Sequence, residues 1–255
     1  MTIVNGMSLP ERTTKARVAV LISGSGSNMI ALIEAARSPT YPAEIALVLS
    51  NRPAAAGLSH AQAAGIATSV VDHVVYGADR ERFELALEEV LARYRIEIAC
   101  LAGFMRVLTA PCVRRWEGKM LNIHPSLLPA FKGLDTHRRA LASGVKIHGA
   151  TVHFVTADVD CGPIIAQGAL AVREQDTPET LESRVLAIEH RIYPIALALV
   201  ARGQARLVGG RCQISRDQIS GIRDQTSTDQ IAGKRDQMDI LISPLIPDAS
   251  LIPDT

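Results

Sequence analysis

Short aliphatic runs alternate with longer helical patterns along the first half of the chain, and this alternation restricts the fold more than any other feature. Three strand and helix pairs are predicted, at residues 17–22 and 30–37, 45–49 and 54–64, and 68–71 and 80–94. Alternation of this kind is typical of βαβ units, which build a parallel sheet with helices on both faces. We therefore predict an α/β protein with a doubly wound, mostly parallel, Rossmann-like sheet.

The second half of the chain adds further predicted strands. Residues 98–101 are almost continuously apolar, as expected for a strand covered on both faces, and residues 119–123 form the next strand. Apolar and polar residues then alternate at 148–155, and residues 163–168 supply a partner strand after a loop at 156–162.

A long helix is predicted to begin near Thr177, where a capping residue precedes Pro178. Its apolar positions step by four and three and form one stripe for packing on the sheet, Leu181, Val185, Ile188, Ile192, Ile195 and Leu199. After Gly210 the composition becomes polar and repetitive. We predict a folded domain at residues 17–210, an N-terminal extension at 1–16 and a low-complexity, disordered tail at 211–255.

The charge balance argues against a large polyanionic partner. Lys and Arg number 27 against 26 Asp and Glu, which leaves no broad electrostatic basis for binding nucleic acid or a membrane surface. The four cysteines lie far apart without a Cys-x-x-Cys pair, so neither a zinc ribbon nor a disulfide framework is indicated. We expect a cytoplasmic protein, monomer or homodimer, that acts on small molecules.

Asn122 and His124 stand at the end of the predicted strand 119–123. Side-chain alternation places both on one face, at the end of the sheet where open α/β folds bind ligands. An amide donor beside a titratable ring suits acyl transfer, in which negative charge develops on an oxygen while a proton moves nearby. The alternative is a plain strand end, with Asn122 capping backbone groups and His124 merely hydrogen-bonded.

The loop at 156–162 contains two carboxylates, Asp158 and Asp160, that are candidates for pairing with His124. An acidic neighbour favours the protonated form of a histidine, which would give a donor acid near neutrality. A solvated turn, in which one aspartate caps the next element, explains the same residues without a function.

A glycine-rich loop, residues 23–28, joins the first strand to the first helix and is placed to bind an anion. The dinucleotide fingerprint is incomplete, because Met29 replaces its third glycine and Ser50-Asn51 replaces its acidic residue. A Walker lysine is missing too. The loop therefore favours one sugar-bound phosphate over NAD or ATP, unless its glycines only tighten the turn.

Two other kinds of site are not predicted. His148 and His153 differ by five positions along a predicted strand and face opposite ways, so they do not indicate a metal site. The segment around Ser25 lacks the Gly-x-Ser-x-Gly spacing of a nucleophile elbow, so a serine nucleophile is not indicated either.

Four motifs occur in one order, Ser-Gly-Ser-Gly-Ser-Asn at 23–28, Leu-Ala-Gly-Phe-Met-Arg at 101–106, Leu-Asn-Ile-His-Pro-Ser-Leu-Leu-Pro at 121–129 and Val-His-Phe-Val at 152–155. Together they make the chain resemble the phosphoribosylglycinamide formyltransferases, folate-dependent enzymes of purine synthesis. The resemblance extends from about residue 17 to about residue 209. It implies transfer of a formyl group from 10-formyltetrahydrofolate, a cosubstrate, to the amine of phosphoribosyl glycinamide, without a metal.

The resemblance also implies roles for individual residues. The catalytic group would be Asn122, His124 and Asp160. The residues implied to bind phosphoribosyl glycinamide are Gly26, Ser27 and Asn28 at its phosphate and Glu189 at its ribose. The residues implied to bind the folate are Met105, Arg106, Val107, Leu108 and Asn122, with Arg80 at its distal end.

The chain departs from the family pattern at Lys132, Asp135 and Cys161, beside the predicted active-site loops.

Three other interpretations of the function compete with that of a phosphoribosylglycinamide formyltransferase. Methionyl-tRNA formyltransferases add a folded basic C-terminal domain, for which residues 211–255 are too short and repetitive. Formyltetrahydrofolate deformylases carry a further domain before the catalytic core, where about sixteen residues stand here. A non-catalytic folate or nucleotide-binding module is disfavoured because Asn122, His124 and Asp160 are all present.

Overall fold

The computed structural model describes residues 14–215 and the backbone of residues 240–243. The strands in this part are β1 (Ala16–Ile22), β2 (Ala43–Ser50), β3 (Thr68–Val70), β4 (Ile98–Leu101), β5 (Met120–His124), β6 (Ile147–Phe154), β7 (Ile164–Ala171), β8 (Ala205–Val208), β9 (Arg211–Ile214) and β10 (Ile240–Ser243). The α-helices are α1 (Ser27–Ala36), α2 (Ala56–Ala63), α3 (Arg80–Arg93), α4 (Ala110–Arg115), α5 (Thr136–Ala142) and α6 (Pro178–Ala201). A short 3-10 helix spans His73–Tyr76.

One mixed sheet organises the molecule, with the strand order β10-β7-β6-β5-β4-β1-β2-β3. The neighbours from β5 to β3 pair in parallel, whereas β6, β7 and β10 pair in antiparallel fashion. The predicted α/β fold with a doubly wound, mostly parallel sheet is confirmed. The antiparallel register of β5 and β6 places Asn122 opposite His153 and His124 opposite Thr151.

Side-chain alternation along the strands divides the core between the two faces of the sheet. In β1, Val18, Val20 and Ile22 pack in one cluster, while Ala19 and Leu21 pack in the other. The whole predicted stripe of α6 is buried in the first cluster, with its members no more than 7 % exposed. The stripe of α6 therefore docks on the sheet as its spacing predicts.

The end of the chain differs in part from the prediction of a structureless tail. Residues 211–214 form β9, paired with β8 through a turn in which Gly209 and Gly210 have φ values of 55° and 75°, the conformation that favours glycine in tight hairpins. Residues 240–243 form β10 along β7. Short strands of this kind depend on a partner rather than on a packed face of their own, so composition alone did not reveal them.

The remaining predictions for the ends concern residues 1–13, 216–239 and 244–255, which lie outside the described residues. For these residues the N-terminal extension and the disordered tail stay predictions. Among the helices of the described residues, none combines the length and apolarity needed to cross a bilayer.

Candidate active site

The side chains of Asn122 and His124 project from β5 on one face of the sheet, which Met120 shares. Leu121 and Ile123, the residues before and after Asn122, pack in the core cluster of the other face. Period-two alternation thus delivers an amide and an imidazole side by side at the carboxyl end of a parallel strand.

The imidazole of His124 lies between two hydrogen-bond acceptors. Its Nδ1 is 3.4 Å from Oδ2 of Asp160, and its Nε2 is 3.0 Å from the carbonyl oxygen of Phe131. A ring with a proton on each nitrogen supplies a donor to both acceptors, so the surroundings match the imidazolium form. The His124 and Asp160 side chains are only 6 % and 9 % exposed, which limits competition from water.

His153 completes this cluster, although the sequence analysis considered it only as a metal ligand. Its Nδ1 lies 2.8 Å from the carbonyl oxygen of Phe154, and its Nε2 lies 3.2 Å from Nδ2 of Asn122 and 3.9 Å from Oδ1 of Asp160. Burial lowers the pKa of His153, so the ring is neutral, donates through Nδ1 and accepts from Asn122 at Nε2. His153 thereby orients the amide of Asn122.

The sequence contained one signal for His153. In the motif Val-His-Phe-Val it is the polar residue of an alternating strand, on the face opposite Val152 and Phe154. Its position against Asn122 depends on the register between β5 and β6, which the sequence does not state.

Close backbone packing fixes the loop that carries Asp160. A β-carbon at Gly162 would lie 1.7 Å from the carbonyl oxygen of Phe154, so only glycine fits there. The backbone N–H of Gly133 donates to Oδ2 of Asp160 at 2.9 Å. The loop therefore folds back over the face of β5 and presents its carboxylate to His124. Asp158, the other candidate, is exposed.

Thr151, opposite His124, holds the segment that follows β5. Its Oγ1 donates to the carbonyl of Ser126 at 2.7 Å and accepts from the N–H of Leu128 at 3.0 Å. The amide of Gln167 donates to the same hydroxyl and to the carbonyl of Leu128. The peptide bond between Leu128 and Pro129 is cis.

The glycine-rich loop leads directly into α1, which begins at Ser27, earlier than the helix predicted at 30–37. Gly26 has a φ of 76°, and a β-carbon there would lie 3.2 Å from Cα of Gly57. The first turn of α1 contains no acidic residue. No side chain caps these first N–H groups, so an anion site at this helix end stays a prediction.

Asn28 and Glu189, distant in sequence, meet where α1 packs on α6. Nδ2 of Asn28 donates to Oε2 of Glu189 at 2.5 Å, while Oδ1 of Asn28 is buried without a hydrogen-bond partner. Burial raises the pKa of Glu189 to about 7. A buried oxygen that lacks a donor and a nearly buried carboxyl together suit a ligand with hydroxyl or amine groups.

The loop after β4 carries the residues implied to bind the folate. Met105 and Val107 are 62 % and 58 % exposed, and the guanidinium of Arg106 lies 5.9 Å above the ring of Phe83. Arg80 donates to the carbonyl of Val107, which brings it to the same loop. These residues form an apolar rim with cationic flanks.

Leu108 differs from its neighbours in this loop. It is only 6 % exposed and belongs to the core cluster of that face, so it offers a ligand little surface. The loop is tied to the glycine-rich segment, because the N–H of Met105 donates to Oγ of Ser23 at 2.7 Å. The two predicted binding regions are thus neighbours.

Within residues 14–215, where side chains are described, no group of three or more histidine, cysteine, aspartate or glutamate residues is arranged to hold a metal ion.

Comparison with known proteins decides the family. The formyl transferase family model matches residues 16–197. The chain belongs to the formyl transferase family. Members of this family with known structures have the same fold, for example glycinamide ribonucleotide transformylase 1 from Symbiobacterium toebii, with a TM-score of 0.76 and 45 % identity over 83 % of this chain and 99 % of that one.

The curated relatives differ in length. Phosphoribosylglycinamide formyltransferase of Escherichia coli (strain K12) is 40 % identical over 74 % of this chain and 89 % of its own length. The trifunctional purine biosynthetic protein adenosine-3 of Bos taurus is 54 % identical over 80 % of this chain. The chain spans only 20 % of that longer relative.

Proposed function

We propose that the chain transfers a formyl group from 10-formyltetrahydrofolate to the terminal amine of phosphoribosyl glycinamide, in the synthesis of purines. The observation that carries the proposal is the cluster at the end of β5, where His124 lies between Asp160 and Phe131 and Asn122 stands two residues before it. The names of the E. coli and S. toebii relatives support the same reaction.

The reaction begins when the amine attacks the formyl carbon. A C–N bond forms, and the carbonyl electron pair moves to the oxygen, which becomes anionic. Asn122, oriented by His153, and protonated His124 are placed to donate hydrogen bonds to this oxygen. A donor aimed at such an oxyanion stabilises the transition state by roughly 3 to 4 kcal/mol.

The intermediate collapses by breaking the bond between the formyl carbon and the folate nitrogen. The attacking amine loses a proton, and the departing nitrogen gains one. Asp160, at 3.4 Å from His124, stabilises the imidazolium and takes part in this transfer. For Nε2 of His124 to reach the formyl oxygen, that oxygen has to replace the carbonyl of Phe131 or share its proton.

The same assignment gives roles to the residues that would bind the two substrates. Gly26, Ser27 and Asn28 would hold the phosphate at the start of α1, and Glu189 would accept from the ribose hydroxyls. The exposed rim residues Met105 and Val107 would contact the pterin, with Arg106 and Asn122 beside them. Arg80 would contact the distal end of the folate. The buried Leu108 would support the rim from beneath. Ordering two substrates in one crevice supplies much of the remaining acceleration.

An assay with competing acceptors tests this function. The chain is given 10-formyltetrahydrofolate with and without phosphoribosyl glycinamide, and the release of tetrahydrofolate is compared with the formation of formylated product. We expect release to require the glycinamide and to match product formation. Release at the same rate without it would indicate a deformylase, and folate binding without turnover would indicate a binding module.

A further inference from the structure

Two loops hold the His124 and Asp160 pair in place. In the segment 130–135, the carbonyl of Phe131 contacts His124 and the N–H of Gly133 contacts Asp160. In the loop 156–162, Asp160 itself contributes the carboxylate. Phe131 and Asp160 have φ values of 53° and 51°, a region that non-glycine residues occupy only when their surroundings enforce it. The catalytic geometry therefore depends on how these loops are fastened.

A side-chain contact joins the two loops directly beside the catalytic pair. The ammonium of Lys132 donates to Sγ of Cys161 at 2.9 Å, and the thiol of Cys161 donates to the carbonyl of Val159 at 3.1 Å. Lys132 lies between Phe131 and Gly133, and Cys161 follows Asp160. Each partner is thus one peptide bond from a residue that touches His124 or Asp160.

The rest of the segment 130–135 is fastened from its own side. Arg139 of α5 donates to the carbonyls of Lys132 and Leu134 at 2.6 and 3.2 Å, and its guanidinium lies 5.7 Å from the ring of Phe131. These contacts shape the segment but do not reach Asp160. The links across to the carboxylate loop are the Lys132 to Cys161 contact and the hydrogen bond from Gly133.

We propose that Lys132 and Cys161 are positioning residues for the formyl transfer proposed above, on which this inference rests. Neither side chain touches His124. Their contact keeps the N–H of Gly133 against Asp160 and so keeps the carboxylate at His124. The contact with Cys161 raises the pKa of Lys132, and the negative charges of Asp160 and Asp158 add to this shift, which favours the ammonium form between the loops. Both partners are exposed, and exposed polar pairs add little to stability, so the effect belongs to catalysis rather than folding.

Kinetics of matched variants test the pair. Lys132→Met and Cys161→Ala should each lower kcat by about three- to tenfold, because small misplacement of a reacting group is costly. KM for both substrates should stay within about twofold. The double variant should be no slower than the slower single variant, since both changes break the same contact. Lys132→Arg and Cys161→Ser, which keep a donor and an acceptor, should restore most of kcat.

Lys146→Met is the matched control, because Lys146 is an exposed lysine away from both loops, and it should leave kcat unchanged. The proposal is overturned if either single variant keeps wild-type kcat, if the loss is confined to KM, or if the losses add in the double variant. Wild-type protein that transfers no formyl group to phosphoribosyl glycinamide would contradict the proposed function instead.

Alkylation of the wild-type protein, with Cys161→Ala as its control, supplies a second test. Iodoacetamide transfers its carboxamidomethyl group to the sulfur with loss of iodide and a proton, and Cys161 is exposed whereas Cys100 and Cys112 are buried. Treated wild-type protein should fall to the kcat of Cys161→Ala, and treated Cys161→Ala should not change further. Equal losses in both proteins would assign the effect to Cys212 and overturn the proposal.

Discussion

The imidazole of His124 and the carboxylate of Asp160 face each other at 3.4 Å, between Nδ1 and Oδ2, although the whole of β6 lies between them in the chain. His124 ends a parallel strand, and Asp160 comes from a loop that folds back over the same face. In the proposed reaction this pair, with Asn122 beside it, would supply an acid and an amide donor to the acyl oxygen that becomes anionic.

Removing the charge of Asp160 tests that pair. Asp160→Asn keeps the size of the side chain but no longer stabilises the imidazolium, so kcat should fall by about a hundredfold or more. KM for the phosphoribosyl substrate should change little, because its phosphate is proposed to bind at α1, away from this pair. Steady-state rates at pH 7 measure both parameters. Asp158→Asn, an exposed carboxylate of the same loop, is the control. Equal behaviour of the two variants would remove Asp160 from the reaction.

The buried carboxyl of Glu189 makes stability depend on pH. Its pKa is raised to about 7 in the folded protein against 4.5 for an ordinary glutamate, so the folded state binds the proton more tightly and stability is lost as pH rises from 4.5 through 7. Glu189→Gln avoids this loss. Its free energy of unfolding should therefore exceed that of the wild type by a margin that grows with pH to roughly 3 kcal/mol at pH 8.

Denaturant unfolding of both proteins at pH 5 and pH 8 measures this difference. The exposed Glu174→Gln should show no such trend. In the same preparation, Glu189→Gln should raise KM for the phosphoribosyl substrate, because an amide accepts fewer hydrogen bonds from hydroxyls than a carboxylate does. If the free energies of unfolding of Glu189→Gln and the wild type differ by the same amount at pH 5 and pH 8, the burial of this carboxyl is contradicted.

The lowered pKa of His148 predicts a pH dependence of stability opposite in sign to that from Glu189. Burial and the neighbouring His137 and His124 lower the pKa of His148 to about 4, so the folded ring stays neutral while the unfolded chain takes up a proton below about 6.5. Stability should therefore fall as pH falls from 6.5 towards 4. In His148→Gln this part of the slope should disappear, as followed by thermal unfolding. His60→Gln, on the exposed side of α2, should retain the wild-type slope.

The strand β10 covers one edge of the sheet. Its residues Ile240–Ser243 pair with Gln167, Gly168, Ala169 and Leu170 of β7, and truncation after Ser215 would leave these backbone groups as an open edge that invites pairing between chains. We expect kcat and KM to stay within about twofold of wild type, while light scattering shows increased self-association. Ile242→Pro in the untruncated chain, which removes a backbone donor from β10, should have the same effect. Unchanged association in both proteins would show that β10 does not protect the edge.

How much was predictable depended on whether a contact was local. Short aliphatic runs revealed β1, period-two alternation revealed β6, and the step of four and three revealed α6; all of these patterns are properties of neighbouring residues. The motifs at 23–28 and 121–129 pointed to Asn28 and His124. The contact of His153 with Asn122 depends on strand register, and that between Lys132 and Cys161 depends on two loop conformations, so neither can be read from spacing. The strand at 240–243 likewise exists through its partner.

His124 itself provides the most direct measurement. Single-turnover transfer of the formyl group to phosphoribosyl glycinamide is compared between wild type and His124→Ala, with folate affinity determined on the same samples. We predict a rate lowered by about a hundred- to ten-thousandfold with folate affinity largely preserved. A variant that transfers the formyl group at nearly the wild-type rate would contradict the account.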